Sequence, residues 1–326
     1  MFKWIASFGC ASVLLLSLFV LLSQAAEKVR ISTPVKTNPV HMLPMLAAEE
    51  KGIWKQLGLE VEWFPFTAGG AQLQAMAAGA VDVGFTTTSD TVHGAARGVP
   101  LIIVSDLGAV DTYVLWVRTD SPIKTPQDLK GTKIGTARFG GASHTFGQAI
   151  FKALGIQKEI KWVSTGGTTQ TMALLKTGAI DASLWARFSG LPLKARGEVR
   201  ELLNVSDYLP KPWSDAVIFA HRDFAKRNPA AVKKAAKAIL EGGQFVMRNR
   251  DWAIGKLKSE LGYSQAAAEL VYPELTFGEK VCLDGRIIES ARKFLIDFGV
   301  VAREKMPPAE ELFTTEFVEE RDCPTR

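Results

Sequence analysis

Apolar residues along the chain fall into two kinds of segment: short apolar or alternating runs, and longer stretches of helical period. The short runs predict β-strands at residues 29–32, 61–64, 81–85, 101–104, 134–137, 160–163 and 180–184. Helix-period segments between them end at Gly52, Gly79 and Gly155, and glycine is the common residue just past a helix. This alternation predicts an α/β fold with largely parallel sheets.

The pattern changes to helices alone after about residue 223. Asn228 and Pro229 supply an N-cap and a first-turn proline for a helix that reaches about Asn249. Further helices are predicted at residues 251–261, 264–271 and 285–298. We expect these helices to pack around one of the sheets, with Trp252 and Phe294 in the core.

The first 25 residues have the features of an export signal. A positive start at residues 1–3 precedes an apolar stretch from residue 4 to 22, and Ser23-Gln24-Ala25 provides small residues for cleavage after Ala25. An uncleaved membrane anchor is the alternative, because the stretch is almost long enough to span a bilayer. The prediction is a signal peptide at 1–25 and an exported mature protein in an oxidising compartment.

Composition fits an ordinary globular protein: 326 residues, 47% hydrophobic and 22% charged, enough for two core-bearing units. The 39 basic and 34 acidic residues give a formal charge of +5 without a basic cluster, which argues against nucleic acid. Four histidines and three cysteines show no metal-ligand spacing, so neither metal nor cofactor is expected. Cys282 and Cys323 of the mature chain could pair or stay free.

An internal repeat is the most informative feature. The sequence VEWFPFTAGGAQLQAMAAGAVDVGF from residue 61 is echoed by IKWVSTGGTTQTMALLKTGAIDASL from residue 160. Each copy gives a strand, a Gly-Gly loop, a helix and a second strand. The repeat predicts two lobes of like construction, and Asp82 and Asp181, at equivalent turns before strands, are expected to have a structural role.

Glycine-rich loops that precede helices can bring a ligand close to free backbone N–H groups. The repeat supplies two such loops, and residues 139–144 supply a third. A purely structural role as tight turns is the alternative, but repetition at equivalent places favours a shared ligand cleft. No loop matches a nucleotide-binding fingerprint, and no serine elbow, zinc-protease helix or Cys/His nucleophile pattern is present. Binding is therefore favoured over catalysis.

Four segments together resemble a known family: AAEEKGIWKQLGLEVEW, GGAQLQAMAAGAVDVGF, RGVPLIIVS and YVLWVRTDSPIKTPQDLKGTKIG. They are similar to the periplasmic substrate-binding proteins of ABC importers in the nitrate, sulfonate and taurine group, including the SsuA-like proteins, which overlaps the NMT1/THI5-like pyrimidine-precursor family. The similarity covers nearly the whole mature chain. The cysteine-rich motif of the fungal pyrimidine synthases is absent, which weakens any transfer of their catalysis.

The resemblance implies a two-lobe periplasmic-binding-protein fold of type II, in which the ligand binds between lobes joined by two crossover strands. The crossovers are expected near residues 113–117 and 216–220. Lobe I would comprise residues 26–112 plus 216–326, and lobe II residues 113–215. The implied partners are a small-molecule solute and a permease in the inner membrane, and a monomer is expected.

Cleft residues should follow the carboxyl ends of strands. The candidates by position are Lys36, Thr37, Asn38, His41, Thr67, Gly69, Gly70, Thr87, Thr88, Ser89, Arg138, Gly140, Gly141, Ser143, His144, Thr165, Gly166, Gly167, Thr168, Trp185 and Arg187.

Basic and aromatic candidates point to different ligands. Arg138, His144 and Arg187 favour an anion such as a sulfonate, whereas Phe139, Trp185 and Phe188 suit a planar heterocycle such as a pyrimidine precursor. The sequence leaves both open. It also leaves two alternatives to solute capture, an exported enzyme that uses the same cleft and a membrane-anchored sensor domain.

Overall fold

The computed structural model describes residues 26–33, 39–66, 69–108, 113–278 and 283–318. Its strands are β1 Glu27–Thr33, β2 Leu59–Pro65, β3 Val83–Thr87, β4 Leu101–Gly108, β5 Tyr113–Arg118, β6 Lys133–Thr136, β7 Lys161–Ser164, β8 Ala182–Ala186, β9 Val199–Asn204 and β10 Ala216–His221. Its α-helices are α1 Met42–Glu50, α2 Ile53–Gln56, α3 Gly69–Ala77, α4 Thr88–Ala96, α5 Ala142–Ala153, α6 Thr168–Thr177, α7 Arg187–Ala195, α8 Arg222–Arg227, α9 Pro229–Arg248, α10 Arg250–Ser259, α11 Gln265–Val271 and α12 Gly285–Asp297.

Several predicted features lie outside these ranges. They are the signal peptide, Cys282 and Cys323. Within the described ranges, no helix combines the length and hydropathy needed to cross a bilayer.

The strands form two five-stranded sheets of matching topology. The first has the order β2-β1-β3-β10-β4, and the second has the order β7-β6-β8-β5-β9. In each sheet four strands run in one direction, and the strand that enters from the other sheet, β10 or β5, is antiparallel to both neighbours. The α/β prediction is therefore confirmed, and the one reversed strand in each sheet is a crossover.

Helices cover both faces of the first sheet, as the alternation of side chains along β10 shows. Ile218 belongs to the same apolar cluster as Ile239 of α9. Val217 and Phe219, which point the opposite way, belong to a cluster with Phe294 of α12. Burial on both faces explains why the central strands are apolar runs rather than alternating sequences.

The C-terminal helices attach closely to the first sheet's layer, most tightly where α9 crosses α1. Gly242 makes this approach possible, since a Cβ there would lie 2.1 Å from the carbonyl oxygen of Pro44. Phe294 lies in the core as expected, with 1% of its surface exposed. Trp252 is only half-buried, and its indole N–H donates a hydrogen bond to Glu50 at 3.0 Å.

The sequence repeat corresponds to a repeated structural unit, three parallel strands in each sheet. In the first unit, Asp82 accepts a hydrogen bond from the backbone N–H of Arg30 at 2.9 Å. In the second, Asp181 accepts one from the backbone N–H of Lys133 at 2.8 Å. Both aspartates thus tie the start of the third strand of their unit to the first strand, which is the structural role expected of them.

Candidate functional site

A cavity lies where the two sheets face each other, and residues of both line it. Its empty space, including the part open to solvent, is about 600 Å³. The lining residues are His41, Gly69, Thr86, Thr87, Asp90, Tyr113, Ala137, Arg138, Gly141, Ala142, Ser143, Trp185, Ala186 and Asp215.

The lining residues come from the carboxyl ends of the parallel strands and from the crossovers. Thr86 and Thr87 end β3, Ala137 and Arg138 follow β6, and Trp185 lies at the end of β8. The chain leaves the sheet in a loop at each of these strand ends, so side chains there can face a ligand. The cavity therefore occupies the position at which open α/β sheets bind small molecules.

His41 forms part of the cavity wall on the side of the first sheet. Its ring is 2% exposed and meets the rings of Phe85 and Phe277 edge-on, at centroid distances of 6.1 and 6.5 Å. Burial lowers its pKa from 6.5 to about 4, because the charged imidazolium loses its hydration there. His41 is consequently neutral at physiological pH and cannot serve as a cationic anchor.

Two carboxyl groups line the cavity, one on α4 and one just before β10. Burial raises the pKa of Asp90, and the positive charge of Arg138 opposes that rise. Burial also raises the pKa of Asp215 well above its usual range, and the nearby Asp90 charge raises it further. Asp215 therefore keeps its proton to a higher pH than an exposed aspartate does.

Arg138 extends from the second sheet across the cavity towards the first. Its guanidinium covers Gly70 in the first turn of α3, so closely that a Cβ at position 70 would lie 1.8 Å from Nη2. Only a residue without a side chain allows this approach. Arg138 thereby presents a cation to the cavity on the side of α3, where the preceding residue Gly69 lies close to the carboxyl group of Asp90.

Aromatic side chains complete the wall on the second sheet. Trp185 is 3% exposed, and Tyr113 packs on Phe146 with ring centroids 5.1 Å apart. Their planar surfaces supply apolar contact area beside the charged groups. The other two aromatic residues considered from sequence do not line the cavity. Phe188 is fully buried in the core, and Phe139 is exposed.

About a third of the sequence-predicted candidates line the cavity. His41, Gly69, Thr87, Arg138, Gly141, Ser143 and Trp185 line it, and Gly70 touches Arg138 beside it. Candidates that are described but do not line it are Thr88, Ser89, Gly140, His144, Thr165, Gly166, Gly167 and Arg187. Lys36, Thr37, Asn38, Thr67 and the side chain of Thr168 lie outside the described residues.

The candidates outside the cavity have other partners. Arg187 forms ion pairs with Glu201 and Glu274, each at 3.5 Å. Thr88 donates its hydroxyl proton to the carbonyl of Ser214 at 2.7 Å, and Thr165 donates to the carbonyl of Thr136 at 2.9 Å. Their polar groups are thus used to fix loops rather than to face the cavity.

His144 also has partners of its own. Its Nδ1 accepts the backbone N–H of Gly140 at 3.3 Å, and its ring lies 4.8 Å from that of Trp162. The ring of the exposed Phe139 meets it edge-on at 5.4 Å. Burial lowers its pKa, so His144 supports this loop as a largely neutral side chain.

Sequence reasoning missed Thr86, Asp90, Tyr113, Ala137 and Asp215, whereas the lining residues Ala142 and Ala186 lie within the predicted segments 138–144 and 185–188. Asp90 follows directly on the candidates Thr88 and Ser89, so its place after a strand was an available signal. Asp215 carried no such signal, because it immediately precedes a crossover strand, and only the fold brings it beside α4. Among the described residues, no group of three or more His, Cys, Asp or Glu side chains could hold a metal ion.

Comparisons with known proteins place this architecture among the periplasmic-binding-protein folds. The alkanesulfonate-binding protein of Xanthomonas axonopodis pv. citri superposes with a TM-score of 0.75, at 19% identity over 89% of this chain and 100% of that one. Residues 38–253 match the family model described as NMT1/THI5 like. The chain belongs to the NMT1/THI5-like family.

Curated relatives include both binding proteins and enzymes. The taurine-binding periplasmic protein of Escherichia coli is 25% identical over 72% of this chain and 71% of its own length. A 4-amino-5-hydroxymethyl-2-methylpyrimidine phosphate synthase of Saccharomyces cerevisiae is also 25% identical, over 68% of each chain. The chain spans about 64% of the length of the first curated relatives it matches, binding proteins of Brucella.

Proposed function

We propose that the protein is the solute-binding component of an ABC importer, which captures a small organic solute and delivers it to a membrane permease. The observation that carries the proposal is the cavity between the two sheets, lined from both sides at strand ends and crossovers. A ligand held by both sides favours their approach, and that approach is how such proteins signal occupancy to a permease.

The chemistry of the wall suits an organic anion or a polar heterocycle. Arg138 offers charge-assisted donors for a sulfonate or carboxylate, and Trp185 and Tyr113 offer flat apolar surface. The names of the relatives, which include sulfonate-, taurine- and pyrimidine-related proteins, agree with this range. We further propose lobes of residues 26–112 plus 216–326 and 113–215, and export to the periplasm as a monomer after removal of residues 1–25.

A thermal-shift screen of the exported protein tests solute capture. Ligand at 100 times its dissociation constant adds about 2.7 kcal/mol to the folded state, which raises the melting temperature by a few degrees. The shift should disappear in Arg138→Gln and persist in the matched control Arg187→Gln, whose arginine is paired with glutamates away from the cavity. Closure should appear in small-angle X-ray scattering as a smaller radius of gyration.

Two results would redirect the proposal. Chemical conversion of a bound compound would establish the exported enzyme, the class to which the yeast relative belongs. A saturable shift that survives Arg138→Gln would remove the cavity from solute capture. Mass spectrometry of the exported protein should give a chain that begins at Ala26, and a chain that retains residues 1–25 would favour a membrane-anchored sensor.

A further inference from the structure

Asp90 and Asp215 face the same cavity from adjoining segments of the chain. The backbone N–H of Thr88, in the first turn of α4, donates to the carbonyl of Asp215 at 2.9 Å. The hydroxyl of Thr88 donates to the carbonyl of Ser214 at 2.7 Å. These two bonds fasten the start of α4 to the segment before β10, so the backbone holds Asp90 and Asp215 on neighbouring segments of the cavity wall.

Arg138 supplies the opposite charge to this cavity but does not pair with either carboxyl group. Among the described residues, no ion pair within 4 Å and no hydrogen bond joins the guanidinium to another side chain. Its charge nevertheless acts on Asp90, so the two groups lie near each other in the cavity wall. A cation and an anion that share a cavity without touching leave room for a ligand with a group for each.

A ligand with only an anionic group would complement Arg138 but not the two carboxyl groups. Its charge would be attracted by Arg138 and repelled by Asp90, since both groups line the same cavity. A ligand that also carries an N–H group would donate hydrogen bonds to the carboxyl oxygens. Sites built to receive an N–H group discriminate strongly against analogues that lack it, because the buried acceptor is then left unsatisfied.

We propose that Asp90 and Asp215 form a specificity-determining subsite for an amino or other N–H group, and that the solute carries this group together with an anionic group that binds Arg138. The inference rests on the proposed function and narrows its ligand class. It favours amino sulfonates, amino carboxylates and aminopyrimidine carboxylates over simple alkanesulfonates or inorganic anions.

The test measures matched pairs that differ only in the amino group, by isothermal titration calorimetry on the exported full-length product. The probes are taurine with ethanesulfonate, β-alanine with propionate, and 4-amino-2-methylpyrimidine-5-carboxylate with 2-methylpyrimidine-5-carboxylate. In the wild-type protein, the amino member of the pair that binds should bind about 10- to 100-fold more tightly, the range expected for hydrogen bonds to a charged group.

Variants then assign that preference to the subsite. Asp90→Asn and Asp215→Asn should each reduce the ratio within the pair to below about threefold. Asp251→Asn, which alters an exposed aspartate on α10, should leave the ratio unchanged. Since the comparison within a pair is first made on the wild-type protein, poor folding of a variant does not remove the test.

Failure of the inference is distinguishable from failure of the proposed function. If the member without the amino group binds as tightly as its partner, or if the ratio is unaltered in both variants, the subsite is refuted while solute capture stands. If no probe binds and native mass spectrometry finds no solute on the exported protein, the proposed function fails and the subsite falls with it.

Discussion

His41 makes the stability of the protein depend on pH in a way that can be calculated. The ring is buried between Phe85 and Phe277, and its pKa falls from 6.5 to about 4 on folding. In the unfolded chain the same side chain binds a proton near pH 6.5. As the pH falls below 6.5, the unfolded state gains protonation free energy that the folded state does not, so stability is lost until the folded pKa is passed.

The magnitude follows from the two pKa values. At about 1.4 kcal/mol for each pH unit between them, the full loss is about 3.5 kcal/mol, reached below pH 4. Between about pH 7.5 and pH 5 the loss is about 2 kcal/mol, because the unfolded histidine is then almost fully charged and the folded one is still neutral. That is a large part of the free energy of unfolding of an ordinary domain.

Urea unfolding at several pH values measures this contribution. Wild-type protein is compared with His41→Gln, which keeps a polar side chain and does not titrate. The quantity of interest is the change in the free energy of unfolding between pH 7.5 and pH 5, so any uniform loss of stability in the variant cancels. The wild-type change should exceed that of the variant by about 2 kcal/mol.

Equal pH dependence in the two proteins would refute the reasoning, and so would direct titration of the His41 ring by NMR with a pKa of 6 or above. Either result would mean that the ring is hydrated or paired as a cation in the folded protein. The cavity wall would then carry a positive charge at the position assigned here to a neutral side chain, and the ligand preference would shift towards anions.

Three further substitutions test the packing and charge of the site. Gly70→Ala should weaken ligand binding about tenfold, because the new methyl group displaces the Arg138 guanidinium. The matched control is Gly167→Ala, at the equivalent position of the repeat, where nothing lies within 4 Å of a new Cβ. Equal ligand titration curves for the two variants would contradict this. Asp215→Asn should raise the melting temperature relative to wild type at pH 8 and not at pH 4. The reason is that, as the pH rises above the ordinary pKa of aspartate, the carboxyl group ionises readily in the unfolded chain but not in the folded protein, where its pKa is raised. An equal difference in melting temperature at both pH values would contradict this. Gly242→Ala should lower the free energy of unfolding by about 1–3 kcal/mol in urea titrations through overpacking of α9 on α1, and an unchanged value would mean that the helices can separate without loss.

Most of the fold could be predicted from sequence because its elements are strongly patterned locally. Every strand predicted from a short apolar run is present within a few residues of the expected bounds. The strand β9, Val199–Asn204, was missed, because its half-buried sequence VRELLN contains charged residues and lies at a sheet edge, where one side faces solvent. Pattern reasoning detects burial, and an edge strand has little of it.

The site was less predictable, because a repeat in sequence need not be a repeat in function. Gly69 and Gly166 occupy equivalent loops, yet only Gly69 lines the cavity. In the second unit the neighbouring Thr165 is bonded inward to Thr136, and the loop after β6 lines the cavity instead. Asp215 lies over 120 residues from its neighbour Asp90, so no local signal could join them.

The position of β10 within the first sheet also constrains the order in which the protein can fold during synthesis. β10 is hydrogen-bonded between β3 and β4, so residues 27–108 cannot complete their sheet before residue 221 has left the ribosome. All five strands of the second sheet come from one continuous stretch, residues 113–204. That stretch can form its sheet first. The N-terminal strands β1 to β4 are synthesised earlier, but their sheet is completed only when β10 inserts between β3 and β4.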